Sequence, residues 1–297
     1  MKFYGFQFEI EFLKLLEGLR VGFLEKLGEY VTMLGEETVF IVLAALLYFV
    51  LDKKLGQRLM YVMCGNLCLN NTIKNFAKVA RPFDVDPTLN AVRKETATGY
   101  SFPSGHTQTA AGWTTVLAQK IKKPWATIVC VIIIVLVAFS RLYLGVHYPS
   151  DVIVGAVIGV ACAFLFGFLF DLKEDKLPVL AMTAGVYAIF AIIFLFNAET
   201  HYADFYKMFG FLLSYVAAYW FESRKVNFTN DAPVWKRIIR LIIGVGIALG
   251  LKIGLKSLFG LIPSVLWTGL LLDALRYFIM GFIVIGLYPW VFKKLKF

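Results

Sequence analysis

Long apolar segments separated by short polar connections dominate the sequence. A helix that crosses a bilayer needs about 20 mostly apolar residues. Segments that approach this requirement lie at about residues 37–52, 57–74, 105–121, 124–140, 151–170, 178–196, 204–222, 237–256 and 265–291. The pattern therefore predicts an all-α protein, a polytopic transmembrane helical bundle of about nine spans.

The N-terminal segment follows a different pattern. Charged residues interrupt its apolar run, and apolar side chains such as Phe12, Leu15 and Leu19 recur at helical spacing. Amphipathic helices of this kind lie in the membrane interface. We therefore expect interfacial amphipathic helices over residues 1–35, a core over residues 36–171, and additional transmembrane helices of unassigned role over residues 172–297.

The composition favours a membrane protein. Of the 297 residues, 59% are hydrophobic and 17% are charged, whereas a soluble domain has about 45–50% apolar and about 25% charged residues. The net charge of +10 would favour a nucleic-acid ligand in a soluble protein. In a membrane protein, cations collect in the cytoplasmic connections, so no nucleic-acid partner is expected. The four cysteines lie in apolar runs without metal-ligand spacing and should be small buried side chains.

The distribution of Lys and Arg predicts the orientation. If the predicted helices alternate, the connections 53–58, 120–123, 173–176 and 224–240 share one side and are rich in cations. By the positive-inside rule this side is cytoplasmic. The connections 75–104 and 141–150 then lie on the extracytoplasmic face.

Three polar stretches lie at predicted helix ends on that outer face. They contain Lys74 with Arg81, the segment 103–106, and Arg141 with His147 and Asp151. Lys74, Arg81 and Arg141 would place three cations at one membrane face, which suits an anion of about two negative charges. The arginine fork binds phosphate oxygens in a bidentate manner, and lysine adds a point charge. We therefore expect a phosphate-binding site.

The remaining polar residues of these stretches favour phosphoryl transfer. Ser104 and Gly105 precede an apolar run, so they should open a helix whose exposed N–H groups cradle an anion. Asp151 follows His147 by four residues, and a carboxylate there can hold one ring nitrogen protonated while the other attacks. His147 is the expected nucleophile, and His106 is the expected general acid for the leaving oxygen. The implied reaction is phosphoryl transfer through a phosphohistidine, followed by hydrolysis. No metal or cofactor is expected, because the cations already neutralise the transferred group.

These residues carry a resemblance to a known family. The patterns KxxxxxxRP (residues 74–82), PSGH (103–106) and SRxxxxxHxxxD (140–151) are similar to the three motifs of the type-2 phosphatidic acid phosphatase superfamily, complete and in order. The similarity covers about residues 23–170, including a lead-in at 34–37 that is typical of bacterial members.

The resemblance implies the same roles for the site residues and a lipid phosphate as substrate. It assigns phosphate binding to Lys74, Arg81, Ser104, Gly105 and Arg141, and the chemistry to His106, His147 and Asp151. It also implies a phosphatase core over residues 36–171, integral to the bacterial cytoplasmic membrane with an extracytoplasmic active site. The topology resembles that of the membrane glucose-6-phosphatase branch.

The sequence leaves the identity of the lipid open. Apolar helices discriminate lipid tails weakly, so several substrates are possible. Undecaprenyl pyrophosphate is slightly favoured, because the lead-in at 34–37 is typical of bacterial members. Phosphatidic acid, phosphatidylglycerol phosphate and a sphingoid phosphate are the alternatives. A phosphotransferase that passes the phosphate to a second lipid is an alternative function. A non-enzymatic lipid transporter is another, although the chain retains His106, His147 and Asp151. No oligomeric state is predicted.

Other polar residues have simpler explanations. Asp273 and Arg276, inside the last predicted span, should pair with each other. The charges at 93–95 are expected to be loop charges, or contacts to a second phosphate or headgroup. Asn66, Asn70 and Asn71 should hydrogen-bond between helices or line the site from below.

Overall fold

The computed structural model of the chain describes residues 7–295. The predictions for residues 1–35 and 172–297 extend over residues 1–6 and 296–297, and those parts lie outside the described residues. Every regular element among the described residues is helical, which confirms the all-α prediction. The α-helices are α1 (Gln7–Gly18), α2 (Gly22–Thr32), α3 (Glu37–Leu46), α4 (Lys53–Ala77), α5 (Pro82–Val85), α6 (Gly105–Ile121), α7 (Pro124–Tyr143), α8 (Pro149–Asp171), α9 (Leu177–Phe196), α10 (Ala203–Phe221), α11 (Val234–Phe259), α12 (Leu266–Gly281) and α13 (Tyr288–Lys294). Short 3₁₀ or π-helical turns occur at Met33–Gly35, Leu47–Leu51, Lys94–Thr96, Thr200–Tyr202, Glu222–Val226 and Phe282–Leu287.

Local sequence signals set the helix boundaries around the motifs. Ser104 caps α6, where its Oγ accepts a hydrogen bond from the Thr107 backbone N–H at 3.5 Å. Lys122, in the left-handed conformation with φ 54°, ends α6. α7 and α8 begin at Pro124 and Pro149, because proline suits the first position of a helix, where its missing N–H is not needed. The polar motifs therefore lie at helix ends.

The prediction of nine spans is not confirmed. Five segments among residues 7–295 are long and apolar enough to cross a membrane: Pro124–Tyr143, Pro149–Asp171, Leu177–Phe196, Val234–Phe259 and Leu266–Lys294. Gly22–Gly35 and Glu37–Leu51 meet the same requirement together, with a bend of 51°, which gives a sixth candidate. The helices α4, α6 and α10 form where spans were expected but are not among these candidates. Helices α4 and α6 are less apolar than a membrane span because they carry polar side chains, such as Asn70 and Gln108, which are buried inside the protein.

The helix α1 is amphipathic in the structure. Leu13 and Leu16 are buried, whereas Phe8, Leu15 and Leu19 are more than half exposed. An exposed apolar face of this kind is what an interfacial helix presents to lipid. The interfacial position of α1 stays a prediction.

The chain divides into two compact units. Unit 1 comprises the residues up to 40 and residues 69–166, and it contains all three sequence motifs. Within it, glycines allow α8 to approach α6. An added Cβ at Gly155 would lie 2.7 Å from the Ser104 carbonyl oxygen, and one at Gly159 would lie 2.5 Å from the Gln108 carbonyl oxygen. The close approach of α8 holds the start of α6 in position.

Unit 2 comprises residues 41–68 and 167–297. Lys53 Nζ forms an ion pair with Glu222 Oε1 at 2.7 Å and donates to the Phe228 carbonyl oxygen at 2.9 Å. Asp273 Oδ1 and Arg276 Nη2 lie 2.7 Å apart. Both residues lie in α12, so the ion pair predicted inside the last span is confirmed.

Candidate active site

His147 and Asp151 form a buried hydrogen-bonded pair. His147 lies in the turn between α7 and α8, and Asp151 lies in the first turn of α8. His147 Nδ1 is 2.9 Å from Asp151 Oδ2, and both side chains are almost fully buried. The same Oδ2 accepts hydrogen bonds from Ser101 Oγ at 2.5 Å and from the Tyr148 backbone N–H at 2.9 Å. An ionised carboxylate, which only accepts, suits all of these donors, so the ring carries its proton on Nδ1.

Arg81 lies at the other nitrogen of the same ring. Its Nη1 is 3.2 Å from His147 Nε2. A guanidinium can only donate, so Nε2 is unprotonated and its lone pair accepts the hydrogen bond from Arg81. Other N–H groups of Arg81 donate to the carbonyl oxygens of Thr98, Gly99 and Val146 at 2.7–3.1 Å. Arg81 thus joins the connection before α6 to the turn that carries His147.

Lys74, in the last turn of α4, also contacts the connection before α6. Its Nζ donates to the Tyr100 carbonyl oxygen, which also accepts from Arg81 Nη2 at 3.3 Å. The Lys74 side chain is buried. The two cations of the first motif therefore meet at one carbonyl group.

Arg141 is a completely buried cation whose guanidinium group forms few hydrogen bonds. Its Nη1 donates to Thr32 Oγ1 at 2.8 Å. Its Nε and Nη2 atoms, and Nε2 of His106, are buried without a hydrogen-bond partner among residues 7–295. Leaving buried polar and charged groups unpaired costs free energy. These nitrogens therefore fit an anionic ligand that supplies the missing acceptors.

The first turn of α6 adds backbone donors. Ser104 is the N-cap, and Gly105 and His106 are the first helical residues. The N–H groups at the start of a helix lack intrahelical partners and carry partial positive charge, which suits a bound anion. Asn70 Nδ2 supports this turn, since it donates to the carbonyl oxygen of the residue before Ser104 at 3.3 Å and to Gln108 Oε1 at 2.7 Å. The second of these contacts is the predicted hydrogen bond between helices.

The environment of His147 favours its neutral form. Burial lowers the pKa of the imidazole well below the ordinary histidine value, and the charges of Arg81, Arg141 and Lys74 lower it further. The structure therefore brings the cations of two separate motifs close to one ring. All of the predicted site residues lie within unit 1.

Several supporting residues carry no signal in the sequence. Ser101 hydrogen-bonds Asp151, and Thr32 hydrogen-bonds Arg141. Glu9 Oε1 accepts a hydrogen bond at 2.8 Å from the backbone N–H of the second residue of α8. These contacts join residues that are 50, 109 and 141 positions apart, so no local spacing rule predicts them.

The fold and the site define a class of protein, an all-helical membrane protein with buried cations beside a His–Asp pair. Comparison with family models identifies the class. Residues 56–173 match the PAP2 superfamily, and residues 206–297 match the transmembrane extension of PAP2 superfamily phosphatases. The chain belongs to the PAP2 superfamily, as the motifs implied, and it is an integral membrane protein.

Known relatives give the activity of the family. Undecaprenyl-diphosphatase of Sulfolobus acidocaldarius is 36% identical over 161 residues, which cover 53% of this chain and 76% of the relative. Phosphatidylglycerophosphatase B of Bacillus subtilis is 29% identical over 160 residues, covering 50% and 75% of the two chains. The crystal structure of Aquifex aeolicus LpxE has a TM-score of 0.50 and 27% identity, covering 56% of this chain and 98% of that one. This chain is therefore an enzyme of a membrane lipid phosphatase family.

Proposed function

We propose that the protein hydrolyses a lipid phosphate or diphosphate through a phosphohistidine on His147, without a metal or cofactor. The observation that carries the proposal is the His147 ring itself, which donates from Nδ1 to Asp151 and has Nε2 beside Arg81. A neutral imidazole with its proton fixed on one nitrogen is a nucleophile at the other.

In the first step, His147 Nε2 attacks the phosphorus atom of the terminal phosphate. A P–N bond forms while the P–O bond to the leaving group breaks. The substrate dianion favours the protonated form of His106, which gives its proton to the leaving oxygen. The negative oxygens of the transferred group are bound by Lys74, Arg81, Arg141, the Ser104 hydroxyl and the Gly105 N–H group. The Ser104 N–H group itself donates to the Asp151 carbonyl oxygen at 3.0 Å. Asp151 stabilises the positive charge that develops on the His147 ring.

In the second step, water attacks the phosphohistidine. His106 accepts a proton from the water, the P–N bond breaks, and inorganic phosphate leaves. His147 returns to its neutral form, so no net change in the protein remains after one cycle. If a lipid hydroxyl replaced water in this step, the same residues would act as a phosphotransferase.

Undecaprenyl diphosphate is the favoured substrate. The relative from Sulfolobus acidocaldarius is named for hydrolysis of this lipid diphosphate. Phosphatidic acid, phosphatidylglycerol phosphate and sphingoid phosphates are the alternatives, and the name of the Bacillus subtilis relative supports the second of these.

The proposal also includes the division of the chain and its orientation. Residues 1–35 would form interfacial helices, residues 36–171 the phosphatase core, and residues 172–297 an additional helical part. Alternate connections carry an excess of cations, which supports a cytoplasmic position for those connections. The active site would then face the outside of a bacterial cytoplasmic membrane.

The test is release of inorganic phosphate by the full-length protein, purified in detergent and assayed with EDTA present. The substrates are undecaprenyl diphosphate, phosphatidic acid, phosphatidylglycerol phosphate and sphingosine phosphate. We expect turnover by the wild-type protein and a loss of about 10³-fold or more in His147→Ala. His201→Ala is the matched control, because His201 is exposed in the turn before α10 and has no proposed role.

Brief incubation with substrate labelled on the terminal phosphate tests the intermediate. A phosphohistidine should carry label that survives base and is lost in acid, and His147→Ala should carry none. Activity that requires a metal, or no label on the wild-type protein during rapid turnover, would contradict the mechanism. Phosphate transfer that occurs only with an added lipid alcohol would identify the phosphotransferase.

A further inference from the structure

The turn between α2 and α3 packs against two of the proposed site residues. Thr32 accepts the hydrogen bond from Arg141, as described above. An added Cβ at Gly35 would lie 2.6 Å from the His106 carbonyl oxygen, so this turn touches the first residues of α6. Trp113 Nε1 donates to the Leu34 carbonyl oxygen at 3.0 Å and holds the turn against α6. Residues 32–36 therefore form one wall of the site on the side of His106.

A fourth cation, Arg93, is held on this wall. Arg93 Nη2 lies 2.6 Å from Glu36 Oε1, and its Nη1 donates to the Glu29 carbonyl oxygen at 3.1 Å. Glu95 Oε1 is 3.9 Å from Arg93 Nε and belongs to a largely exposed side chain. The adjacent Val92 N–H donates to the Leu144 carbonyl oxygen at 2.9 Å. This bond fixes the Arg93 loop to the segment between Arg141 and His147.

The backbone of Arg93 is also unusual. Its φ of 59° is in the left-handed region, which residues with a Cβ rarely adopt. Strained conformations of this kind persist where the surroundings enforce them, and they cluster at functional sites. Glu36, the ion-pair partner of Arg93, directly follows Gly35, which packs against the His106 carbonyl group. Arg93 is thus a cation on the side of His106, the proposed general acid, and it is additional to the three cations of the motifs.

We propose that Arg93 binds a second anionic group on the leaving-group side of the site, with Glu36 holding its guanidinium in place. This inference rests on the proposed function, in which His106 protonates the leaving oxygen. In a lipid diphosphate, the terminal phosphate is attacked by His147 and the inner phosphate leaves. The inner phosphate then lies on the side of His106, where Arg93 is held. A monophosphate has no anionic group at this position.

The test compares two lipids that differ by one phosphate, farnesyl diphosphate and farnesyl monophosphate. The variant is Arg93→Ala, and the readout is the ratio of kcat/KM for the two lipids. A charge-assisted hydrogen bond supports a change of about 10- to 100-fold. We therefore expect the diphosphate to lose at least about 10-fold more than the monophosphate. Lys94→Ala is the matched control, because it removes the same charge from the next, exposed residue and should leave the ratio within about threefold.

Binding of inorganic pyrophosphate and of inorganic phosphate, measured by calorimetry, gives a second readout that needs no turnover. Arg93→Ala should weaken pyrophosphate binding more than phosphate binding by the same factor. Equal losses for both ligands, or no loss for either, would overturn the proposal, since Arg93 would then act only through the packing of the wall. If the wild-type protein hydrolyses neither lipid but Arg93→Ala still weakens pyrophosphate binding selectively, the proposed phosphatase function fails and the second anion subsite stands.

Discussion

The substitution Asp151→Asn tests whether charge, rather than packing, makes His147 reactive. The Asp151 Oδ2 atom accepts three hydrogen bonds, from His147, Ser101 and the Tyr148 N–H. An asparagine that places its amide oxygen at this position keeps all three bonds and the Nδ1–H tautomer. The reverse orientation would direct an NH₂ group at three donors, which is much less favourable. The substitution therefore removes the negative charge and keeps the hydrogen-bond geometry.

The size of the effect follows from the charge that develops on His147. The pKa of the free ring is lowered well below the ordinary histidine value by burial and by Arg81, so the ring is neutral before attack. When it becomes cationic, it gains the attraction of the neighbouring carboxylate. Two unit charges about 4 Å apart attract by about 4 kcal/mol at an effective dielectric constant of about 20, which corresponds to about 10³ in rate. We expect kcat to fall by about 10²–10³-fold.

The assay is phosphate release at saturating substrate, together with the amount of labelled phosphoenzyme in a single turnover. Ser101→Ala is the control, because it removes one hydrogen bond to the same oxygen and keeps the charge. We expect less than about a tenfold loss in that variant. A rate for Asp151→Asn within about threefold of wild type would refute the electrostatic reasoning. An equal loss in both variants would show that packing around the oxygen, and not its charge, sets the rate.

Three further predictions concern pH, packing and the N-terminal helix. Because the pKa of native His147 is lowered, its protonation should limit kcat/KM only below about pH 6.5; a pH–rate profile with a diphosphate substrate tests this. Gly155→Ala should destabilise the protein by about 1–3 kcal/mol and lower kcat, because its Cβ would press on the Ser104 carbonyl oxygen; Gly185→Ala, which has open space, should unfold at the wild-type temperature or above. Glu9→Ala should lower the free energy of unfolding by about 1 kcal/mol and reduce activity, because the Ser150 N–H at the start of α8 loses its acceptor. Glu9→Gln, which keeps an oxygen there, should recover most of the stability and of the activity.

Local sequence rules were sufficient for the helix ends at the motifs and for the contact between His147 and Asp151. Ser104 precedes an apolar run and caps α6, and Pro149 begins the helix whose first turn carries Asp151. The four-residue spacing between His147 and Asp151 was enough to predict their hydrogen bond, because the turn between them is short. A helix cap, a helix start and a contact between residues four positions apart depend only on residues that are close in the sequence, so a local pattern can predict them.

Membrane topology was harder to predict, because hydropathy does not say what a helix contacts. The helices α4 and α6 were expected to span the membrane, and both form at the expected positions. Their buried polar residues include Asn70 and Gln108, which bond each other at 2.7 Å. Such residues lower the average hydropathy of a helix, and their polar groups form hydrogen bonds inside the protein. A count of apolar residues therefore does not predict whether these helices span the membrane.

Burial of a cation is the property that no pattern in the sequence indicates, and in the proposed mechanism it makes Arg141 effective. The motif predicts a phosphate-binding arginine, but an exposed arginine would bind phosphate weakly, because water competes for both charges. In the structure Arg141 is fully buried, and Thr32 fixes one end of its guanidinium while two nitrogens stay unpaired in the described part of the chain. Folding offsets the free energy that burying this charge costs, and in the proposed mechanism a bound phosphate would recover part of that free energy. Donors that are already oriented do not have to reorganise during the reaction. Thr32 should therefore matter more for the rate of phosphoryl transfer than its single hydrogen bond would indicate.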